Sequence, residues 1–189
     1  MIFKDFLPYL EEKQVRDTQN LPVFLVGMPG SGKTTIGKFL ADLLEREFYD
    51  CDQMIEIKHQ CSISEIFAES GEDTFRDFET LILNSLSSQK NAIIATGGGI
   101  ILREQNRDLL NQYPVVYLDA PMENLFRQTQ TDKNHRPLLE GDRQKALVDL
   151  MEFRRPLYLE VADVIIETKE KPQTLATHIA KWITDLEAI

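Results

Sequence analysis

The nine residues Gly27–Thr35, GMPGSGKTT, bring closely spaced glycines together with one lysine and a run of hydroxyls. Gly27, Gly32, Lys33 and Thr34 fit the spacing G-x-x-x-x-G-K-[ST]. There the glycines let the main chain turn tightly enough for successive N–H groups to point inward at phosphate oxygens. The lysine adds a point charge at the β- and γ-phosphates, and the threonine hydroxyl is placed to bind Mg2+. A glycine-rich turn without a ligand is the alternative. The apolar run Val23-Phe24-Leu25-Val26 before the loop and the helical pattern after it argue against that, because a strand must feed the loop and a helix N-terminus must close it.

Three further groups of residues could serve the acceptor of a phosphoryl group. Asp50-Cys51-Asp52 follows a short apolar stretch; read as strand, with a period of two, it puts both carboxylates on one face. One could serve a magnesium shell, the other an acceptor alcohol and its proton; solvated turn acids are the plainer reading of this pair alone. In FRDFET (Phe75–Thr80), Arg76 and Glu79 share a helix face, as a surface ion pair or as a guanidinium held for a carboxylate ligand. Gly97-Gly98-Gly99 ends another apolar run, and three glycines there favour close approach of a ligand to bare main-chain N–H donors.

Something must hold these groups together, and the pattern of the chain says what. Apolar runs at Pro22–Gly27, Phe48–Cys51, Asn91–Thr96, Pro114–Asp119 and Asp163–Glu167 read as strands. Helical patterns cover Lys33–Arg46, with Ile36, Phe39, Leu40, Leu43 and Leu44 on one face, then Ile63–Ser70 and Glu72–Ser88. Others cover Leu102–Gln112, Met122–Thr129, Arg143–Phe153 and Gln173–Leu186. Ser62 or Ser64 is placed to cap the second of them. Five βα units with continuously apolar strands predict one α/β domain with a doubly wound parallel sheet flanked by helices, its ligands at the carboxyl ends of the strands. The aperiodic polar stretch QTDKNHRPLLEGDR reads as a loop.

A formal charge of −10 argues against nucleic acid as a partner and means that an anionic acceptor must be drawn in by local arginines. Cys51 and Cys61 make no disulfide framework and read as reduced thiols of a cytoplasmic protein. No apolar run reaches membrane-spanning length, and the first residues do not read as a signal peptide. Residues 1–20 read as an extension, helical by the spacing of Phe3, Phe6, Leu7 and Leu10, ahead of a domain over 21–189.

The P-loop, D-x-D, F-R-x-x-E and G-G-G, in this order, with RPLL (Arg136–Leu139) and RRPLY (Arg154–Tyr158) after them, resemble the shikimate kinase family over about Leu21 to Ile183. Each motif is common; six in series are specific. The resemblance implies a P-loop kinase domain like that of nucleoside monophosphate kinases. It also implies a five-stranded parallel sheet, a substrate-binding segment near 50–80 and a lid loop near 129–142. The implied activity is transfer of the ATP γ-phosphate to the 3-hydroxyl of shikimate, on the route to the aromatic amino acids. Carried over by position, Gly30, Ser31, Gly32, Lys33, Thr34 and Thr35 hold ATP, with Arg136 of the lid on the phosphates. Pro172 stands at the adenine, with Arg127 near its other side, and Glu170 stands where the family often has an arginine. Thr34 and Asp50 would support Mg2+. Asp52, Arg76, Gly98 and Arg154 would hold shikimate, with Asp52 as base and Glu79 orienting Arg76; Lys33, Asp52 and Arg136 form the catalytic set. Arg155, beside Arg154, is a second candidate for the carboxylate. The partner is then a small molecule, with no nucleic acid or membrane, and the chain a monomer. Two rivals stand beside this reading: another P-loop small-molecule kinase, such as one acting on gluconate, and a nonenzymatic nucleotide-dependent binding protein.

Overall fold

A computed structural model describes residues 20–131 and 143–188. The extension expected over residues 1–20 therefore lies almost wholly outside the described residues, as does most of the expected lid. Five strands run β1 (Val23–Val26), β2 (Glu47–Asp50), β3 (Ala92–Ala95), β4 (Val115–Asp119) and β5 (Val164–Glu167). All pair in parallel, in the order β2-β3-β1-β4-β5. The helices are α1 (Lys33–Leu44), α2 (Cys51–His59), α3 (Ile63–Leu86), α4 (Glu104–Leu110), α5 (Met122–Thr131), α6 (Arg143–Val161) and α7 (Pro172–Glu187). A single 3-10 turn, Ile100–Leu102, precedes α4.

Alternation along β1 splits the core in two. Phe24 and Val26 face a cluster with Ile94, Tyr117, Leu83, Leu110 and Tyr158. Val23 and Leu25 face a second, with Ile36 and Leu40 of α1 and Leu175 and Ile179 of α7. Helices on both faces bury the central strands completely, which is why β1 and β3 read as unbroken apolar runs. The edge strand β2, EFYD, is partly exposed, because it has a neighbouring strand on one side only.

Three expectations about the elements are corrected. Phe39 and Leu43 are 37% and 53% exposed, so the buried face of α1 is Ile36, Gly37, Leu40 and Ala41. Phe48 lies so close to Gly37 that a Cβ there would meet its ring at 2.6 Å, and this tight approach turns the helix away from the expected stripe. The helix expected to stop at Phe153 continues to Val161 through Pro156. Proline deprives the Glu152 carbonyl of its helical donor, but both residues are exposed, while Arg154, Tyr158 and Val161 are buried and hold the helix in place. The two helices expected on either side of residue 71 are borne out: the run α3 is kinked at Gly71, whose φ of 79° and ψ of 172° are not helical. Its start is a capping box: Ser62 accepts from the Glu65 N–H, and Glu65 reaches back to the Ser62 N–H. The third correction concerns Asp50 and Asp52 and belongs to the site.

Candidate active site

The register of the sheet brings together loops that lie far apart in the chain. Leu25 of β1 pairs with Ala95 of β3, which also pairs with Asp50 of β2. The loop after β1, the turn after β3 and the residues after β2 therefore leave the sheet side by side at its carboxyl edge. The Thr96 N–H and hydroxyl both donate to the Leu25 carbonyl, at 3.1 and 3.0 Å, clasping the first two together.

Gly27, Gly30 and Gly32 of the phosphate loop all have positive φ (148°, 82° and 91°), which L side chains adopt only under strain. At Gly27 a Cβ would also sit 2.6 Å from the Leu118 carbonyl oxygen. Gly32 is the N-cap of α1 and offers no side-chain cap, so the first N–H groups of this twelve-residue helix are presented to a ligand. Ser31 is buried, and Lys33 curls across the loop, donating to the carbonyls of Gly27 and Met28 at 2.8 Å each. Thr34 is half-buried, and its hydroxyl donates to Asp50 Oδ2 at 2.7 Å; Thr35 is exposed.

Asp50 and Asp52 do not share a strand face. The strand ends at Asp50, which caps α2: its Oδ1 accepts from the N–H groups of Asp52 (3.1 Å) and Gln53 (3.3 Å). Asp52 is in the first helical turn, so the period-two argument fails and the two carboxylates part. One turns to Thr34 and the phosphate loop; the other turns to the glycine turn after β3. Between them Cys51 is fully buried as a free thiol, its pKa pushed up by burial and by the acids beside it.

That turn is the meeting point of the site. A Cβ on Gly97 would lie 2.5 Å from Glu79 Oε1 and 2.7 Å from Asp52 Oδ1; one on Gly98 would lie 2.6 Å from Pro29 of the phosphate loop. On Gly99 it would overlap the Arg76 guanidinium. None of the three has the left-handed φ that demands glycine. Beside the expected reason for three glycines, ligand access to the main chain, stands another: the protein's own side chains fill the spaces where Cβ atoms would stand. At Gly98 it is the carbonyl that is engaged, accepting from Arg154 Nη1 at 3.0 Å and from the Tyr158 hydroxyl at 2.6 Å.

Arg76 is buried and held by two acids, Glu79 at 2.6 Å and Glu72 at 2.7 Å. Sequence reasoning named the first; the second was legible as a helical neighbour four residues earlier. Burial acts to lower the Arg76 pKa, but the two carboxylates outweigh it and raise it. Glu79, 1% exposed, has its pKa raised to about 7, because burial disfavours its charge more than Arg76 favours it. Arg154 is 3% exposed and its pKa is lowered by burial, though a guanidinium stays charged. Arg76 Nε, Glu79 Oε1 and Arg154 Nε are all buried without a hydrogen-bond partner. Two cationic donors and one acceptor left so, beside one turn, are what a small ligand bearing a carboxylate and hydroxyls would satisfy. Arg155 is exposed and turns instead to Asp119, at 3.2 Å.

On the far side of the phosphate loop, Pro172 starts α7, and Asn124 of α5 donates to the Thr168 carbonyl at 3.3 Å, fixing the loop after β5 beside α5. Arg127, on α5, is exposed. Arg136 lies outside the described residues. Among the described residues no three His, Cys, Asp or Glu side chains gather as a metal-binding group, and no helix is long and apolar enough to cross a membrane.

Residues 29–184 match the family model of shikimate kinase. The chain is similar to the shikimate kinase of Bordetella avium, with 46% identity over 82% of this chain and 75% of that one. Among solved structures it is similar to shikimate kinase from Acinetobacter baumannii in complex with shikimate: TM-score 0.84, 44% identity, covering 92% of this chain and 97% of that one. A gluconokinase from Sinorhizobium meliloti, at 16% identity and TM-score 0.58 over 92% of this chain and 95% of its own, shares the fold alone.

Proposed function

The chain belongs to the shikimate kinase family, and from that premise we propose how its residues divide the family's reaction among them. That reaction is phosphorylation of the 3-hydroxyl of shikimate by ATP, giving shikimate 3-phosphate and ADP. The observation that carries the division is the convergence of Asp52, Glu79, Arg76, Arg154 and Pro29 on the Gly97–Gly99 turn.

Arg76 and Arg154 hold the shikimate carboxylate. Both are buried, both have an Nε without a partner, and planar forks suit a carboxylate. Gly98 contributes its main chain, and Glu79 with Glu72 keeps Arg76 in place. Asp52 accepts the proton of the 3-hydroxyl as its oxygen bonds to the γ-phosphorus and the bond from that phosphorus to the bridging oxygen of ADP breaks. Positioning and charge neutralisation dominate such transfers. The loop Gly30, Ser31, Gly32, Lys33, Thr34 and Thr35 cradles the ATP phosphates, Pro172 borders the adenine, and Arg136, assigned from sequence alone, adds charge from the lid. A hydroxyl and a carboxylate 2.7 Å apart, Thr34 and Asp50, fit the oxygen donors a magnesium ion requires. When bound there, the ion supplies charge neutralisation at the phosphates. The proposal extends to a monomer working in the cytoplasm, a setting supported by its two free thiols.

The test is ADP release with shikimate or gluconate as acceptor, for the wild type and Asp52→Asn. Shikimate alone should be turned over, and the variant should lose about 10^2- to 10^4-fold in kcat with its fold intact. Turnover of gluconate without shikimate would overturn the acceptor; near-normal kcat in the variant would remove Asp52 as the base.

A further inference from the structure

We propose that Tyr158 is a positioning residue for the acceptor, its hydroxyl fixing the Gly98 carbonyl and, through it, the direction in which Arg154 points; this rests on the assignment of Arg154 to the acceptor carboxylate.

Tyr158 is 0% exposed and lies one helical turn beyond Arg154 on α6, so both side chains leave the same face. They converge on one atom: the Gly98 oxygen takes Tyr158 OH at 2.6 Å and Arg154 Nη1 at 3.0 Å. A carbonyl oxygen has two lone pairs, and these two donors use both. With Nη1 tied to Gly98, the guanidinium plane is set, and Nε is left buried without a partner. The hydroxyl does not lose its proton under working conditions, since burial pushes its pKa well up despite the arginine beside it.

The ring is as firmly held as the hydroxyl. It stacks on Tyr117, with centroids 5.1 Å apart and planes 17° apart. The Tyr117 hydroxyl donates to Asp119 Oδ1 at 3.0 Å, and Asp119 Oδ2 in turn takes Arg155 at 3.2 Å. The Tyr158 oxygen also lies 3.9 Å from Met28 Sδ, in the phosphate loop, and Pro29 of that loop closes over the other side of Gly98. One buried hydroxyl thus sits where the acceptor arginine, the glycine turn and the nucleotide loop meet. A tyrosine needed only to fill the core would not require its oxygen there; phenylalanine would fill the same space.

The experiment compares Tyr158→Phe with Tyr117→Phe, which removes a hydroxyl from the same stacked pair without touching Gly98. Thermal unfolding of both establishes that they fold. Steady-state assays should show KM for shikimate raised about tenfold in Tyr158→Phe, with KM for ATP within twofold of the wild type, and neither changed in Tyr117→Phe. In an Arg154→Lys background, where the fork is gone, Tyr158→Phe should add less than twofold. Equal rises in both KM values, an unchanged KM for shikimate, or full additivity with Arg154→Lys would each overturn the positioning role. Should Tyr158→Phe fail to fold, Tyr158→Leu and Tyr158→Met, which carry no donor for the Gly98 carbonyl, are held to the same outcomes. The wild type with shikimate is the control for the activity itself. Its failure would reject the assignment of the acceptor, whereas wild-type turnover with an unaltered Tyr158→Phe would reject only this inference.

Discussion

Under the Gly97 turn the Glu79 carboxyl is 1% exposed, with a pKa raised from 4.5 to about 7. Burial dominates; Arg76, 2.6 Å away, opposes it, and Asp52 adds to it. In the unfolded chain a glutamate titrates near 4.3. Between these values the folded protein keeps a proton the unfolded chain has released, so the unfolding free energy falls as pH rises. The contribution is fully present below about pH 4.5 and lost as pH passes 7, on the order of 4 kcal/mol at most. Glu79→Gln has no such proton. Urea unfolding at pH 5 and at pH 8 should therefore show a steeper loss of stability in the wild type than in the variant; parallel declines would mean that Glu79 is ionised throughout. The residue types of the site were all legible as motifs, because each motif is local. What the sequence could not show was which groups touch: nothing in FRDFET says that Glu79 shares a glycine with Asp52.

Two glycines in neighbouring elements test two different physical reasons for glycine. Gly71 interrupts α3 with φ 79°, and a Cβ there would meet nothing within 4 Å. Gly71→Ala should cost about 1–3 kcal/mol of stability through backbone strain alone and leave both KM values unchanged. At Gly97, after β3, φ is not in the left-handed region, but a methyl group would strike Glu79 and Asp52. Gly97→Ala should therefore lower kcat/KM for shikimate at least about tenfold and leave ATP binding nearly intact. Paired kinetic and unfolding measurements decide it; a harmless Gly97→Ala would show that Asp52 and Glu79 have room to move. At this scale the fold was readable from five apolar runs and the helical periods between them. The misreadings have two sources: Asp50, the last residue of its strand, is also the local N-cap of α2, and α6 runs through Pro156 because its buried face continues beyond it.

Across the whole molecule, every described residue assigned a role lies between Gly27 and Pro172, and both core clusters are built from residues between Val23 and Ile183. The sheet order places β1 at the centre, with β3 and β4 beside it, so the phosphate loop emerges where the strand order reverses. Asp52 and the glycine turn emerge from β2 and β3 on one side, Arg154 reaches that turn from α6, and the loop after β5 that precedes Pro172 lies on the other side. A body of charge −10 repels an anionic acceptor at long range, and the two buried arginines overcome this only at contact. Recognition is thus a short-range property of the sheet's carboxyl edge. The first nineteen residues should be dispensable for it. A chain begun at Asn20, whose carbonyl accepts from the Asn91 N–H at 3.0 Å beside β1, keeps all the contacts described for the site. Its kcat and both KM values should stay within about twofold of the full chain, whatever the change in Tm, since none of the contacts described for the site is removed. A loss of tenfold or more in kcat/KM for either substrate, in a chain that still unfolds cooperatively, would mean that the extension completes the site.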